Sequence, residues 1–290
     1  MTAGKTERVT FNSDGLNLAG IFHPPANAAG KPAAAFIALH GFGGTKDRGA
    51  VDCEYLVQHG YAAFRFDFRG CGESEGEHGR IICLEQIADV RSAIDYLQSR
   101  TDLDPARIGL IGHSFGAADA IYAGGVDERV GAVISFGGWG DGERKFRAQH
   151  NTPEAWERFE RMRQEGQQRH LRGERTVVPR YDIVPIPENL RGNVTPGSIQ
   201  QFPWETVQSM YDFRPDDVVG RIAPRPLLLV HPAHDSVTPS RESIELFQRA
   251  GRPTELHLLE GVDHFVRVDE PRVSALLEGW LASYFPANVP

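Results

Sequence analysis

A serine stands between two glycines in residues 112–116, which read Gly-His-Ser-Phe-Gly. An apolar run precedes this segment and small residues follow it, as in a sharp turn from a buried strand into a helix. Glycines on both sides leave room for such a turn, and the dipole of the following helix favours negative charge near the hydroxyl. The pattern predicts Ser114 as a nucleophile; a plain strand–helix turn, the competing interpretation, leaves the paired glycines unexplained.

A serine hydroxyl is a weak nucleophile, so a histidine must accept its proton and an acid must orient that histidine. Two late apolar runs, residues 226–230 and 256–259, are each followed by a loop that carries such a residue. Asp235 follows the first run and His264 follows the second, in the order Ser, Asp, His that this type of serine motif uses. Because open α/β sheets build their sites at strand ends, we predict that these two residues act with Ser114 as a catalytic triad.

Neighbouring residues compete for these roles. His113 adjoins the serine in sequence but should point away from it, so we expect it to pack or to orient. His231 and His234 lie beside the predicted acid, and we expect structural or solvent-exposed positions for them. Asp263 adjoins the predicted base, and we expect it to serve a turn.

A second glycine-rich segment, residues 40–44, reads His-Gly-Phe-Gly-Gly and follows an early apolar run. Glycines allow backbone N–H groups to face a cavity, so we predict an oxyanion hole made by the N–H groups of Phe42 and Phe115. A flexible turn is the alternative interpretation of the glycines. His40 is expected to brace this loop, and Phe42, Phe115 and Trp139 are the predicted substrate contacts.

The elements that must position these residues alternate along the chain. Short, continuously apolar runs are typical of strands buried on both faces of a parallel sheet. Amphipathic helices separate them; in one, apolar residues from Cys83 to Leu97 recur at steps of three and four. Alternating residues around the turn at 12–15 predict an N-terminal hairpin. We therefore predict an α/β fold with a mostly parallel, doubly wound sheet of about eight strands.

Residues 139–215 break this alternation. The segment has no strand of the buried kind, is rich in Arg, Gln and Glu, and holds three of the four tryptophans. It is far longer than an ordinary loop and includes a helical piece at 153–168. We predict that it is a helical lid inserted into a core domain made of residues 1–138 and 216–290.

The composition limits the partners. The 290 residues carry a net charge of −8, which disfavours nucleic acid as a partner. No apolar run approaches the roughly 20 residues that span a bilayer, and no apolar leader follows the basic N-terminal residues. Three cysteines without a metal-like spacing fit free, buried thiols in a reducing cytoplasm. We expect a cytoplasmic protein without a membrane partner; a homodimer stays open.

Taken together, the motifs resemble those of the α/β-hydrolase superfamily. His-Gly-x-Gly-Gly, Asp-x-Arg-Gly-x-Gly-x-Ser, Gly-His-Ser-x-Gly, the late Asp and the final Gly-x-x-His occur in that superfamily's order. The resemblance is greatest to a group with dienelactone-hydrolase-like proteins, lid-bearing esterases and serine aminopeptidases. It implies Ser114 as nucleophile, Asp235 as acid, His264 as base and the N–H groups of Phe42 and Phe115 as oxyanion donors. It implies no metal and no organic cofactor.

The residue at the nucleophile position, Ser114, limits the reactions that the resemblance implies. Dienelactone hydrolases proper carry Cys at the nucleophile position, whereas epoxide hydrolases and haloalkane dehalogenases carry Asp there. The sequence therefore predicts a serine hydrolase that cleaves a carboxylic ester, or a related acyl bond, of a small molecule. The same triad leaves open a carbon–carbon hydrolase acting on β-diketones, a lactonase, an amidase or peptidase, and a cofactor-free haloperoxidase. A binding protein without turnover is a further alternative.

The lid is rich in arginine, and an inward-facing arginine would suit an anionic substrate. A solvated face is the more common role of such residues. The residues concerned are Arg144, Arg147, Arg158, Arg161, Arg163, Arg180 and Arg191.

Overall fold

The computed structural model describes residues 5–26 and 32–287, so the first four residues, on which part of the leader prediction rests, lie outside it. The described part forms ten strands and nine α-helices. The strands are β1 (Glu7–Ser13), β2 (Leu16–His23), β3 (Ala33–Leu39), β4 (Ala62–Phe66), β5 (Leu103–His113), β6 (Val130–Phe136), β7 (Val177–Pro179), β8 (Gln201–Pro203), β9 (Leu227–Pro232) and β10 (Thr254–Leu259). The helices are α1 (Ala50–Gln58), α2 (Cys83–Gln98), α3 (Phe115–Val126), α4 (Gly142–Gln149), α5 (Pro153–Leu171), α6 (Arg180–Ile183), α7 (Trp204–Asp212), α8 (Arg241–Arg249) and α9 (Pro271–Tyr284).

Eight of the strands form one sheet in the order β1-β2-β4-β3-β5-β6-β9-β10. The pairs β1–β2 and β2–β4 are antiparallel, and every other neighbouring pair is parallel. The predicted hairpin closes through Asp14 and Gly15, whose φ angles of 51° and 86° suit a two-residue turn between antiparallel strands. The predicted α/β fold with a mostly parallel sheet of eight strands is confirmed.

Helices cover both faces of the sheet because successive strand side chains point to opposite faces. In β3, Ile37 belongs to the apolar core that contains Ile94 of α2. The adjacent Phe36 belongs to the opposite core, with Leu56 of α1 and Trp280 of α9. Continuous burial of β3 on both faces explains why its sequence is apolar without alternation.

The segment between β6 and β9 holds α4, α5, α6 and α7, together with an antiparallel pair formed by β7 and β8. These two strands have three residues each, too short to leave a periodic signal in the sequence. Phe146, Phe159 and Phe202 of this segment are buried in the same core as α2. The segment is therefore packed on the sheet, and its bounds as a lid stay a prediction.

The three cysteines are free and buried, as the sequence predicts. Burial raises the pKa of all three thiols, so they stay protonated and behave as small apolar side chains. Over residues 5–26 and 32–287, no helix combines the length and the apolar character that crossing a membrane requires.

The order of the strands reverses around β3. From β3 the chain turns to β4 on one side, then returns to place β5 on the other side. Loops that leave two parallel strands at such a reversal lie next to each other, and this crevice is where open α/β sheets place their sites. The glycine-rich loop after β3 and the serine motif after β5 therefore meet: a Cβ atom added to Gly41 would lie 3.6 Å from Cβ of Ser114.

Candidate active site

The turn between β5 and α3 holds Ser114 in a conformation that side chains rarely adopt, with φ 56° and ψ −115°. Two glycines make the turn possible. A Cβ atom on Gly112 would lie 2.1 Å from the carbonyl oxygen of Gly116, and one on Gly116 would lie 2.4 Å from that of Leu39. The Ser114 N–H donates to the carbonyl of Phe136 at 2.8 Å, which fixes the turn to β6. The strand–turn–helix context predicted for the serine is therefore present.

Loops from three strand ends bring the predicted triad together. The Oγ atom of Ser114, after β5, lies 2.9 Å from Nε2 of His264, after β10. Nδ1 of that imidazole lies 2.8 Å from Oδ2 of Asp235, after β9. Since an ionised carboxylate only accepts, Nδ1 carries the proton and Nε2 is free to accept the serine proton. The arrangement is that of a nucleophile, its general base and the acid that orients the base.

The carboxylate of Asp235 is buried and fully hydrogen-bonded. Its Oδ1 accepts the N–H groups of Val237 at 2.8 Å and Thr238 at 2.7 Å. Burial alone would raise the pKa of Asp235, but the neighbouring His264 and His231 outweigh that effect and hold it well below its usual value. The carboxylate is therefore ionised across the neutral range, as a partner for an imidazolium must be.

His231 has a role that the sequence alone did not reveal. Its Nε2 donates to the carbonyl of Thr238 at 2.8 Å and lies 3.4 Å from Oδ2 of Asp235. Its Nδ1 accepts from the hydroxyl of Ser243 at 2.7 Å. Of the two positions expected for His231, structural or solvent-exposed, the structure shows the first, in contact with the carboxylate of Asp235. The only hint of this contact in the sequence is that His231 lies four residues before Asp235.

The other residues that compete for the roles of base and acid are placed elsewhere. His113 turns away from the serine and places Nε2 3.1 Å from Oδ1 of Asp52, as predicted. Burial lowers the pKa of His113, against the opposing effect of Asp52. His234 is exposed, with 84% of its side chain accessible. Asp263 caps its own turn by accepting the backbone N–H of His264 at 2.8 Å.

Two backbone N–H groups in the turns next to Ser114 have no acceptor among the described residues. Among the described residues, no acceptor is bonded to the N–H of Phe42 or to that of Phe115, the first residue of α3. His40 holds the first of these loops: its Nδ1 donates to the Gly41 carbonyl at 2.9 Å, and its Nε2 accepts the Phe68 N–H at 3.2 Å. The predicted bracing role of His40 is confirmed, and both N–H groups are free for a ligand oxygen.

The loop after β4, residues 67–74, is hydrogen-bonded to the segment that follows the glycine-rich loop. Asp67 accepts the backbone N–H of Lys46 at 2.6 Å, its Nζ at 2.7 Å, and the N–H of Glu73 at 2.9 Å. Arg69 pairs with the buried Asp89 at 2.7 Å. These internal pairs give the loop a structural role.

A cavity of about 70 Å³ opens above Ser114, between the core loops and residues 184–198. Most of the surface of its wall is apolar, and Val184, Ile186 and Val194 contribute to it. Within the chain as described, no group of three or more His, Cys, Asp or Glu side chains is arranged to hold a metal ion. The site therefore offers a small, mainly apolar space directly over the nucleophile.

The predicted substrate contacts need a correction. Phe42 lines the cavity, but the side chains of Phe115 and Trp139 do not. Both are almost fully buried, at 2% and 1% exposure. Their rings stack at 5.9 Å, and Trp139 also packs edge-on against Phe213. The two aromatic side chains fill the space beneath the cavity, because the turn that frees the Phe115 N–H directs its ring into the core.

The arginines of the lid divide into two kinds. Four of the seven pair with carboxylates: Arg144, for example, binds Asp216 and the buried Glu242, each at 2.8 Å. Arg180 is different, because it is 3% exposed and lines the cavity. Its Nη2 donates to the carbonyls of Phe42 at 2.9 Å and Gly43 at 3.2 Å. One of the predicted arginines thus points inward.

Comparison with known proteins gives similarities over different lengths. Residues 30–165, just under half of the chain, match the family described as Serine aminopeptidase, S33. An uncharacterised 31.7 kDa protein from the traX-finO intergenic region of Escherichia coli is 26% identical over 227 residues, which cover 76% of this chain and 78% of that protein. The acyltransferase drtE of Aspergillus calidoustus is 27% identical, with 84% of each chain covered.

One solved structure, the alpha/beta hydrolase GrgF from Penicillium sp. sh18, superposes with a TM-score of 0.76. The sequences are 23% identical, and the alignment covers 96% of this chain and 97% of GrgF. At that level of identity the likeness establishes the fold.

Proposed function

We propose that the chain is a hydrolase of the α/β-hydrolase superfamily that cleaves a carboxylic ester, or a related acyl bond, of a small molecule. One observation carries the proposal. Ser114, His264 and Asp235 form an unbroken hydrogen-bonded chain, with contacts of 2.9 and 2.8 Å, beneath a cavity. In this arrangement a serine acts as nucleophile in acyl transfer.

The first half of the reaction forms an acyl-enzyme. The Oγ atom of Ser114 attacks the substrate carbonyl carbon while Nε2 of His264 takes its proton. The resulting imidazolium is stabilised by the ionised Asp235, and the oxyanion accepts the N–H groups of Phe42 and Phe115. Collapse of the tetrahedral intermediate breaks the bond to the leaving group, which receives the proton from Nε2.

The second half of the reaction releases the acid. Nε2 of His264 takes a proton from water, and the hydroxide oxygen attacks the carbonyl carbon of the acyl-enzyme. The same two N–H groups hold the second oxyanion. When the bond to Oγ breaks, the imidazolium returns its proton to Ser114, and the site is restored without a metal or cofactor.

The proposal also covers the lid, the size of the substrate and the location of the protein. The segment 139–215 acts as a lid, and its apolar residues Val184, Ile186 and Val194 contact the small-molecule acyl substrate. A cavity of about 70 Å³ favours a compact substrate, since pockets for drug-sized ligands are several times larger. A cytoplasmic location, without nucleic acid or membrane as a partner, remains part of the proposal.

Transfer of the acyl group to an acceptor other than water is a second candidate. The acyltransferase drtE is similar to this chain over 84% of both sequences, which favours it. Both reactions share the acyl-enzyme and differ only in the nucleophile that ends it. Product analysis in the presence of added alcohols would separate them: transfer gives a new ester, whereas hydrolysis gives only the acid.

The test is a kinetic comparison of the purified protein and two serine variants on short-chain esters, amides, lactones and β-diketones. We expect Ser114→Ala to lower ester turnover by about four orders of magnitude or more, because the nucleophile is lost. The matched control is Ser283→Ala, an exposed serine of α9, which should leave turnover within about twofold. Full hydrolysis by Ser114→Ala would eliminate the proposal, and the preferred bond type would decide among the ester, amide, lactone and carbon–carbon alternatives.

A further inference from the structure

Arg180 is a buried cation whose contacts are all with neutral groups. Its Nε donates to the carbonyl of Ile199 at 2.7 Å, and its Nη2 donates to the carbonyls of Phe42 and Gly43. In the chain as described, no carboxylate lies within ion-pair distance of the guanidinium, and Nη1 donates to no protein acceptor. The fork of the arginine therefore keeps one nitrogen free.

Such a position is costly for a charge. A buried ion is tolerated when a partner of opposite charge is present, and Arg180 has none among residues 5–26 and 32–287. Burial lowers the pKa of Arg180 to about 10, so the side chain still carries its charge at neutral pH. Arg144, by contrast, sits between two carboxylates. The part of the chain that the structure describes supplies no anion to Arg180.

Among the described residues, the cavity wall holds a second guanidinium and no carboxylate. Arg48, a second guanidinium, lies in the cavity wall and donates to the carbonyl of Val266 at 3.0 Å. No Asp or Glu side chain lines the cavity within the described residues. The chain as a whole carries a net charge of −8, so the cavity is a positive site in an acidic protein.

We propose that the substrate carries a carboxylate besides its scissile acyl group, and that this carboxylate binds Arg180 at the free side of its guanidinium. The inference rests on the proposed hydrolase function and names its substrate class. A guanidinium fork matches a carboxylate in shape and charge, and the pair is stronger in a desolvated cavity. Because Arg180 also holds the Phe42 and Gly43 carbonyls, substrate binding and the oxyanion loop share one side chain.

The test compares pairs of esters that differ only in the presence of a carboxylate. Monomethyl fumarate and methyl crotonate share the same leaving group and a rigid trans double bond, with the carboxylate on the acyl side. The 4-acetoxybenzoate anion and 4-acetoxytoluene place it on the alcohol side. The measured quantity is the ratio of kcat/KM for the anionic and neutral members of each pair. A ratio is used because removing Arg180 can also slow both members by loosening the loop.

We expect the wild-type protein to prefer the anionic member of at least one pair by about tenfold to a hundredfold, the effect of a charged hydrogen bond. Arg180→Met should bring that ratio close to one. The matched control, Arg161→Met, removes an exposed lid arginine and should keep the wild-type ratio. If the neutral members are preferred, or if the preference survives in Arg180→Met, the inference is overturned. Equal slowing of both members in Arg180→Met would also overturn it, because it assigns Arg180 to the loop alone.

A binding measurement separates this inference from the proposed function. In Ser114→Ala, where the nucleophile is absent, calorimetry should detect fumarate but not crotonamide, and Arg180→Met in the same background should abolish the fumarate signal. Fumarate binding without ester hydrolysis in the wild type would retain the anion site and remove the hydrolase proposal. Hydrolysis of neutral esters without fumarate binding would retain the hydrolase proposal and remove the anion site.

Discussion

Two buried lysines, Lys46 and Lys145, differ in their partners. Nζ of Lys46 lies 2.7 Å from the buried Asp67 and 2.6 Å from Glu73. Nζ of Lys145 has no hydrogen-bond partner in the described chain and faces the Phe146 ring, 4.0 Å from its centroid. Burial lowers the pKa of Lys145 to about 7, whereas the two carboxylates outweigh burial and raise that of Lys46. One charge is compensated and the other is not.

Lys145→Met should stabilise the protein, because it removes an amine that loses its charge on burial. The unfolded chain holds this proton up to about pH 10 and the folded chain only up to about pH 7, so wild-type stability rises with pH between those values. We expect a gain of about 2–4 kcal/mol at pH 7 that shrinks toward pH 10. Urea unfolding at several pH values measures it. A constant loss of stability across that range would contradict the assignment.

Lys46→Met should change the free energy of unfolding in the opposite direction and destabilise the protein. It leaves the carboxylate of Asp67, which is 0% exposed, without its cation. Removal of one partner of a buried ion pair costs about 3–5 kcal/mol. The same urea experiment at pH 7 should therefore show a lower midpoint for Lys46→Met. An unchanged midpoint would contradict this expectation. It would mean that the two backbone N–H groups bound to Asp67 stabilise its buried carboxylate without the lysine.

At the scale of elements, the site depends on the close approach of α3 to the loop after β3. Gly116, at the start of α3, would place a Cβ atom 2.4 Å from the Leu39 carbonyl oxygen and 2.5 Å from that of His40. Both obstacles are backbone atoms, which cannot rotate away. The distance between Ser114 and the glycine-rich loop after β3 is therefore set by the missing side chain at Gly116.

Gly116→Ala should destabilise the protein by about 1–3 kcal/mol through overpacking and should lower turnover by shifting the loop from the serine. The control is Gly279→Ala in α9, where an added Cβ meets nothing within 4 Å. At that helical position alanine should stabilise by about 0.5–1 kcal/mol without changing turnover. Thermal unfolding and ester kinetics measure both effects. Equal behaviour of the two variants would refute the steric argument.

Elements with strong local signals could be predicted from the sequence. Continuous apolar runs identify β3 and β5 because burial on both faces leaves no alternation, and the glycines of the turn identify Ser114. The substrate wall could not be predicted in the same way. Trp139 and Arg180 lie in the irregular segment, where direction depends on packing: the first turns into the core and the second into the cavity. His231 acts on Asp235 through a contact that spacing alone does not specify.

At the scale of the whole molecule, one sheet gathers residues that are far apart in sequence. Ser114 and His264 are 150 positions apart, yet their side chains lie within hydrogen-bond distance because both follow parallel strands. The cavity above them is closed by the segment between β6 and β9, which supplies Arg180. The core thus positions the proposed triad, while the segment 139–215 defines the proposed specificity.

The most direct test of this account is the reaction of the intact protein with a fluorophosphonate probe, followed by mass spectrometry of the whole chain and of its peptides. The account predicts one adduct, located on Ser114, absent in Ser114→Ala and formed far more slowly in His264→Ala. An unlabelled Ser114 in the folded wild-type protein, or an adduct on another residue, would contradict it.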